Sequence, residues 1–491
     1  MRLMALFFLA AIPVLAGPAY PLKRSANNRF LVDQNNVPFL LIGDSPQSLM
    51  ANLSPSQMAA YMADRQAKGF NTLWVYAIPG NYNGGVASGA AQDGTVPFTS
   101  PSPGTQDTYN FATPNPAYWA EVDAMVNLAA SYGFVVDLFP WDTGLTSPTD
   151  GWLIAARACG ATCMYNYGVW IGNRYKNFPN IIWSYGTDFQ AWSTNSTDNN
   201  LVYQTMLGVA SADPNHLQTI ELNYNYSYSG KDTLLTPVLG LNHDYVQTST
   251  YDEMLAAYNS SPKMPVILGE GNYEFENNTG ALSPWPGGPP PVLPNPTYDL
   301  IPRLQAWWAL TSGGVGEIYG NHYVWTLSGP MGVADWTKYL DSVGAGQIQY
   351  INSFFNAIPW WNLVPDQTHQ IVTAGYGTYV AASGSGNMLA NNYATTAWVT
   401  DGSLAVVYDP AGNALTVNMA KFNSSVLAQW YDPTDGTYTT ISGSPFSNSG
   451  SDTFATPGSN HTGKSDWVLL LQAAASANKP TAPTGLTATI K

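Results

Sequence analysis

The chain is short of charge. Asp, Glu, Lys and Arg make up 10% of its 491 residues, well below the roughly one quarter of an average soluble protein. Only 17 are basic against 32 acidic, for a formal net charge of −15. Nucleic acids and anionic membranes are held by basic faces, which argues against both as partners. Cysteine is scarcer still: Cys159 and Cys163, in RACGATCMY, are the two present. Two thiols make neither a zinc centre nor a disulfide framework. In an oxidising compartment they pair with one another, provided a loop rather than a straight helix carries them. The sequence lacks His-Glu-Xaa-Xaa-His and Gly-Xaa-Ser-Xaa-Gly, which removes a zinc peptidase and a serine-elbow hydrolase. Beyond residue 19 no apolar run reaches about 18 residues, the length a membrane-spanning helix needs.

What is present points out of the cell. Residues 1–19 read as a secretory signal, with Arg2 as the charged start, 3–15 as a short apolar core, and Ala16 or Ala19 as the small cleavage residue. The mature protein is expected to be secreted or periplasmic, and monomeric. A hydrophobic content of 45% supports a large core, and 17 Trp and 30 Tyr are more than usual. Flat aromatic rings serve in cores and also as platforms for sugar rings. The length fits two domains.

Residues 29–44 read RFLVDQNNVPFLLIGD, a hairpin followed by a buried strand. Ser54 as N-cap and Pro55 at the first helical position open a helix that runs to 68–69. GFNTLWVY (69–76) is the next strand, and strand–helix–strand at this spacing implies parallel strands. The alternation continues. Strands are expected at 39–44, 70–76, 134–139, 180–186, 217–223, 238–246, 265–270 and 316–321. Helices are expected near 116–132, 165–176, 200–210, 251–258 and 299–311, and a last one at 331–357 closes the ring. This is the arithmetic of an α/β protein with a (β/α)8 TIM barrel over residues 20–361. From 362 short alternating runs such as TAWVTDGSLAVVYDP (396–410) and WVLLLQ (467–472) take over, punctuated by Asp-Gly and Gly-Asn turns. They read as an antiparallel β-sandwich at 362–474. Residues 475–491, ending KPTAPTGLTATIK, read as a linker or the start of a truncated fibronectin III-like module.

Two apolar runs end on a carboxylate: NIIWSYGTD (180–188) on Asp188 and PVILGE (265–270) on Glu270. An acid at the tip of a strand buried on both faces is costly unless it has a task. The C-terminal tips of barrel strands floor the active site. Strands four and seven stand opposite one another in a ring of eight. Their carboxyl groups can therefore lie about 5 Å apart, the separation for a retaining double displacement at a glycosidic bond. One group attacks the anomeric carbon and the other protonates the leaving oxygen. The donor needs a raised pKa, available from apolar neighbours such as Trp183 or from the other acid. No cofactor and no metal is required. Asp44, Tyr76, Trp141, Asn223, His243, Tyr273, Glu274, Glu317 and His322 are the candidate substrate contacts around this pair. Asp44 is equally placed to hold the first helix, Glu317 to orient a neighbour, and the histidines to act as hydrogen-bonded scaffold. Asp137, inside strand three, reads as a structural partner for a buried group. The long loops at 78–114 and 275–296 follow strands two and seven and read as walls or lids.

At these residues the chain resembles a known family. RFLVDQNNVPFLLIGDSPQSLMANLSPSQMAAYMADRQAKGFNTLWVY (29–76) is similar to the opening of the apiosidase-like glycoside hydrolases (DUF4038, family 140), with NIIWSYGTD and PVILGEGNYE similar to their motifs on strands four and seven. The sandwich resembles the domain paired with that barrel and labelled collagen-binding. The resemblance spans most of 29–472. It implies a (β/α)8 barrel and a retaining mechanism, with Asp188 as acid/base and Glu270 as nucleophile. Two departures bear on the sugar: Ser45-Pro46 stands where Thr and Trp are common, and Thr187 where related barrels often carry Asn or Gly. The expected function is a secreted retaining glycoside hydrolase acting on plant or microbial polysaccharides, with an oligo- or polysaccharide as its substrate. The alternative is a non-catalytic carbohydrate- or matrix-binding protein on a barrel scaffold.

Overall fold

The computed structural model describes residues 17–144, 151–222, 227–275, 299–327, 335–380 and 388–474. Residues 1–16, Asn223, positions 276–296 of the second long loop, and 475–491 lie outside the described residues.

The first domain is a (β/α)8 barrel. Its strands are β1 (Leu41–Asp44), β2 (Thr72–Tyr76), β3 (Val135–Phe139), β4 (Ile181–Trp183), β5 (Glu221–Leu222), β6 (Asn242–Tyr245), β7 (Val266–Glu270) and β8 (Gly316–Tyr319). All but β5 form one continuous parallel run in the order β6-β7-β8-β1-β2-β3-β4. Segment 217–222 closes the ring. On one side Trp183 N–H donates to the Leu217 carbonyl (2.9 Å) and Thr219 N–H to Trp183 O (2.8 Å). On the other, Gly240 N–H donates to Gln218 O (2.8 Å).

The surrounding helices are α1 (Pro55–Ala67), α2 (Pro116–Ser131), α3 (Ala161–Tyr175), α4 (Ser196–Ala212), α5 (Tyr251–Asn259), α6 (Leu300–Thr311) and α7 (Val343–Asn356). Their starts follow from local chemistry. A capping box between Ser54 and Gln57 opens α1, with Pro55 at its first position. Asn115 and Asn195 side chains accept the free N–H groups at the starts of α2 and α4. Cys159 and Cys163 are joined, with Cα atoms 5.4 Å apart. A straight helix does not carry them: Gly160, at φ 80°, separates α3 from the preceding helix Leu153–Cys159.

Several expected elements differ in detail. Strand six ends at Tyr245, so His243 lies inside it rather than at its tip. Strand eight stops at Tyr319, and α7 starts at Val343 after a 3-10 turn at Trp336–Tyr339. The largest difference is at strand four. It stops at Trp183, and the chain resumes extended pairing only at Gly186–Phe189, against β5 rather than in the main ring. Asp188 is therefore not the tip of a straight strand.

The second domain packs a six-stranded antiparallel sheet, centred on Leu404–Asp409, Trp467–Ala473 and Val426–Tyr431, on a three-stranded sheet of Val372–Ala374, Ala414–Asn418 and Ser451–Ala455. The larger sheet is buried on both faces, and strand periodicity divides its side chains. Ala405, Val407, Leu469 and Leu471 enter the sandwich core. Leu404, Val406, Tyr408, Val468 and Leu470 join the barrel's core. Tyr408 stacks on Trp307 of α6 (5.7 Å between centroids), and Trp308 Nε1–H donates to Tyr393 O (3.0 Å). At the centre of this seam Arg303 of α6 donates through Nε and Nη2 to Asp466 (2.8 and 3.0 Å) and through Nη1 to Asp299 (2.9 Å) and Gln347 (2.6 Å).

Arg303 is 3% exposed and Asp466 is fully buried, so removing one partner strands a charge. Arg303→Met is expected to lower the unfolding free energy by about 3–5 kcal/mol, measured by urea denaturation, and Arg303→Met with Asp466→Leu to recover most of that loss.

Candidate active site

The chain leaves β4 in an unusual conformation. Gly186, Thr187 and Asp188 have φ of 91°, 142° and 45°. Only the glycine adopts positive φ without cost, and a β-branched Thr there is strained. Gly186 is also required by contact, since a Cβ would sit 2.0 Å from Glu221 O. The strain is held from three sides. Tyr76 of β2 hydrogen-bonds to Thr187 Oγ1. Thr143 Oγ1 donates to Thr187 O (3.3 Å). Asp188 N–H donates to Glu221 Oε1 (3.4 Å). The result turns the Asp188 side chain towards β5, β6 and β7.

Three carboxyl groups meet there. Asp188 is 8% exposed, Glu270 at the end of β7 9%, and Glu221 of β5 1%. Glu221 hydrogen-bonds to Glu270. Tyr82, from the long loop after β2, donates to Asp188 Oδ2 (3.0 Å). Tyr245, the register partner of Glu270, stands near the Asp188 carboxyl and favours its ionised form. The phenols of Tyr82 and Tyr245 are both pushed up, by burial first and then by the same three carboxylates. The acids therefore converge on one spot.

Burial pushes the Asp188 carboxyl up to about 6, against the pull of the Tyr82 hydrogen bond and of Tyr245. Glu221 is pushed well above the usual carboxylate range, by burial and then by Glu270 and Asp188. None of the principal groups acting on either acid is a cation. The Tyr82 phenol is the donor that faces Asp188.

Comparison with known proteins bears on the family and the fold. Residues 25–362 match the family model described as the apiosidase-like catalytic domain, which is more than half of the chain. The chain belongs to the apiosidase-like family. Residues 385–472 match a second model, whose description names a collagen-binding domain of a collagenase. No curated protein sequence matches the chain. A solved structure named as a glycoside hydrolase superposes with a TM-score of 0.73 at 19% identity, over 93% of this chain and 97% of that one. A glycoside hydrolase family 5 structure from Bacteroides vulgatus gives 0.72 at 19% identity, over 92% and 93%. At that identity the likeness is one of fold, and the fold is that of glycoside hydrolases.

The other residues singled out from the sequence divide in two. Tyr76, Tyr273, Trp141 and His322 lie around the mouth of this apiosidase-like barrel. Tyr76 supports Thr187 and feels Glu221, Asp142 and Glu270. Tyr273 accepts from Gln47 Nε2 (2.7 Å). Trp141 stands edge-on to Phe111 of the long loop (5.9 Å). His322, beyond β8, is half-buried, and burial pulls its imidazole down to about 4.

Asp44 and Glu274 are corrections, because hydrogen bonds within the protein take up both carboxyl groups, and His243 and Glu317 are buried inside β6 and β8. Asp44 accepts from Tyr61 and Arg65 of α1 and from Ser45 N–H. Of its two expected roles, holding the first helix is the one seen. Glu274 accepts from Tyr319 Oη, Ser342 Oγ (2.7 Å) and Gly344 N–H (3.0 Å), tying β8 to the start of α7. His243 is fully buried inside the barrel, edge-on to Trp74 (5.6 Å), and burial pulls its imidazole down to about 3. Glu317, inside β8, is pushed up to about 8 by burial and by Asp44. Asp137 accepts from Ser184 Oγ, a structural partnership as expected, and burial pushes it up to about 7.

Sequence reasoning missed Glu221, Tyr82 and Tyr245. Glu221 had a readable signal, a lone acid within the apolar run LQTIELNY (217–224). The phenols had none, since only the fold brings the loop after β2 over strand four.

The raised pKa of Asp188 has a consequence for stability. The folded protein binds the proton more tightly than the unfolded chain, so the buried anion destabilises the fold above pH 6. That cost lifts as pH falls from about 6 towards 4. Asp188→Asn is expected to gain about 1–3 kcal/mol near pH 8 and almost nothing near pH 4, read from denaturant unfolding at both pH values.

Proposed function

We propose that the protein is a secreted glycoside hydrolase that retains anomeric configuration, with Asp188 as acid/base and Glu270 as nucleophile. Its substrates are glycosidic linkages in plant or microbial polysaccharides. The observation that carries this reading is that Asp188 and Glu270, both nearly buried in the barrel mouth, act on the same neighbours, Glu221, Tyr82 and Tyr245, with no cation among the principal groups acting on Asp188. A binding site for neutral sugars gains nothing from such crowding, whereas a double displacement needs one carboxyl protonated and one ionised at the same pH.

Their surroundings support the division of labour. Asp188, held up to about 6, keeps its proton in mildly acidic surroundings and delivers it to the leaving oxygen as the glycosidic bond breaks. Glu270 attacks the anomeric carbon, forming a covalent glycosyl ester. Asp188, now ionised, takes a proton from the water that hydrolyses the ester, which restores both groups. The apolar secretory segment at the start of the sequence and the scarcity of cations support an extracellular polysaccharide as the target.

Turnover is read on a panel of aryl glycosides, apiosides included. Asp188→Asn and Glu270→Gln are each expected to fold and to lose about a thousandfold or more in kcat. Near-full activity of either variant would sink the assignment. The first-formed sugar, followed by proton NMR, is expected to keep the anomeric configuration of the substrate.

The pH profile follows from the same groups. Activity is expected to fall as pH rises through about 6, where Asp188 loses its proton. Tyr82→Phe removes a hydrogen bond that favours the ionised form. Its alkaline limb is therefore expected to move up by about one pH unit, measured as kcat/KM against pH.

A further inference from the structure

The third carboxyl group has no part in the two-acid scheme, and its position calls for one. Glu221 bridges the proposed pair. Its Oε1 accepts the Asp188 backbone N–H (3.4 Å), and its side chain hydrogen-bonds to Glu270. Its Oε2 is buried and meets no N–H or O–H donor among the described residues. The titratable groups that face it are Glu270 from β7, Asp188 from Gly186–Phe189, Tyr76 from β2, Tyr82 from the long loop and Tyr245 from β6. None of these is a cation.

Two carboxylates in hydrogen-bond contact, without a cation, share a proton. Which of them carries it follows from geometry. Glu221 is the more deeply buried, at 1% exposed against 9% for Glu270. Its position in β5 is fixed by pairing with Gly186 and by its N–H donating to Tyr185 O (2.8 Å). A carboxyl oxygen with no donor of its own is satisfied by carrying hydrogen, and a neutral acid next to an anion becomes a strong donor to it.

We propose that Glu221 is a positioning residue, a neutral carboxylic acid that donates its hydrogen bond to the Glu270 carboxylate. It thereby aims and holds ionised the group that attacks the sugar, while its other oxygen fixes the backbone of Asp188. One side chain thus sets the separation of acid and nucleophile. This rests on Asp188 and Glu270 being the catalytic pair.

The test compares Glu221→Gln, which keeps a donor of the same shape, with Glu221→Leu, which keeps volume alone. Glu221→Gln is expected to keep about a third of kcat with little change in the acidic limb of the pH profile. Glu221→Leu is expected to lose about a hundredfold, to leave KM within about threefold, and to move the acidic limb up by about one pH unit. Equal losses in both variants, or an unmoved acidic limb in Glu221→Leu, overturn the proposal. Should Glu221→Leu fail to fold, infrared difference spectra decide. At neutral pH an Asp188→Asn background is expected to show the carbonyl band of a protonated carboxylic acid. The difference between that background and the same background with Glu221→Gln, in which the Asp137 and Glu317 acids cancel, is expected to contain one such band, and its absence overturns the proposal. Glu270→Gln separates the two readings: if that variant stays active, the catalytic pair itself is wrong and this inference falls with it. If it is inactive, the Glu221 variants decide alone.

Discussion

Everything about this site depends on gathering three carboxyl groups in a nearly dry place with no cation among the principal groups acting on Asp188 or Glu221. Two anions at hydrogen-bond distance in such surroundings repel strongly, and an isolated buried anion is already costly. The molecule meets this with protons and phenols. Tyr82 donates to Asp188, Tyr245 stands near it, and Glu221 and Glu270 interact directly. Arginines are available elsewhere: Arg65 is spent on Asp44 and Arg303 on Asp466. Their absence from this group matters chemically. A guanidinium beside Asp188 would hold it ionised, and it could no longer deliver a proton.

The backbone is arranged around the same constraint. Breaking strand four after Trp183 frees a short segment to leave the ring and pair with β5. That brings Asp188 alongside Glu221, at the expense of three consecutive residues at positive φ. Tyr76, Thr143 and Glu221 over-determine that conformation, which is how local strain persists in a folded protein. The loop after β2 earns its length by a similar argument. Its aromatic residues Phe98 and Phe111 pack on Trp152 and Tyr167 and extend the barrel's core into the loop that carries Tyr82. The sandwich plays another part. Its larger sheet gives alternate side chains to the cores of the two domains, and the Arg303–Asp466 pair joins them across the seam.

Much of this was legible beforehand, and the failures have physical reasons. Apolar runs ending at Asp188 and Glu270 identified two of the three meeting acids, because an ionisable group in a doubly buried strand has few structural excuses. The same reasoning misled at Asp44 and Glu274, and it did not foresee that His243 and Glu317 are buried inside their strands. A polar residue near a strand end looks alike in sequence whether it faces the mouth, a neighbouring helix or the barrel interior. Asp44 turned to Arg65, twenty-one residues on and one helix away. Glu274 turned to Ser342 and Gly344 at the start of the last helix. Glu221 escaped notice because it does not end a run.

The sequence by itself determined the alternation of strands and helices, the change to a sandwich near residue 362, and the unusual acids, since periodicity and local burial cost are written along the chain. Only the tertiary structure decided which acids meet. Proximity across the barrel depends on the break in strand four and the closure through β5, and both are set by contacts between residues far apart in sequence. The protonation of each acid was decided there too, because a pKa belongs to the surroundings that folding assembles and not to the residue.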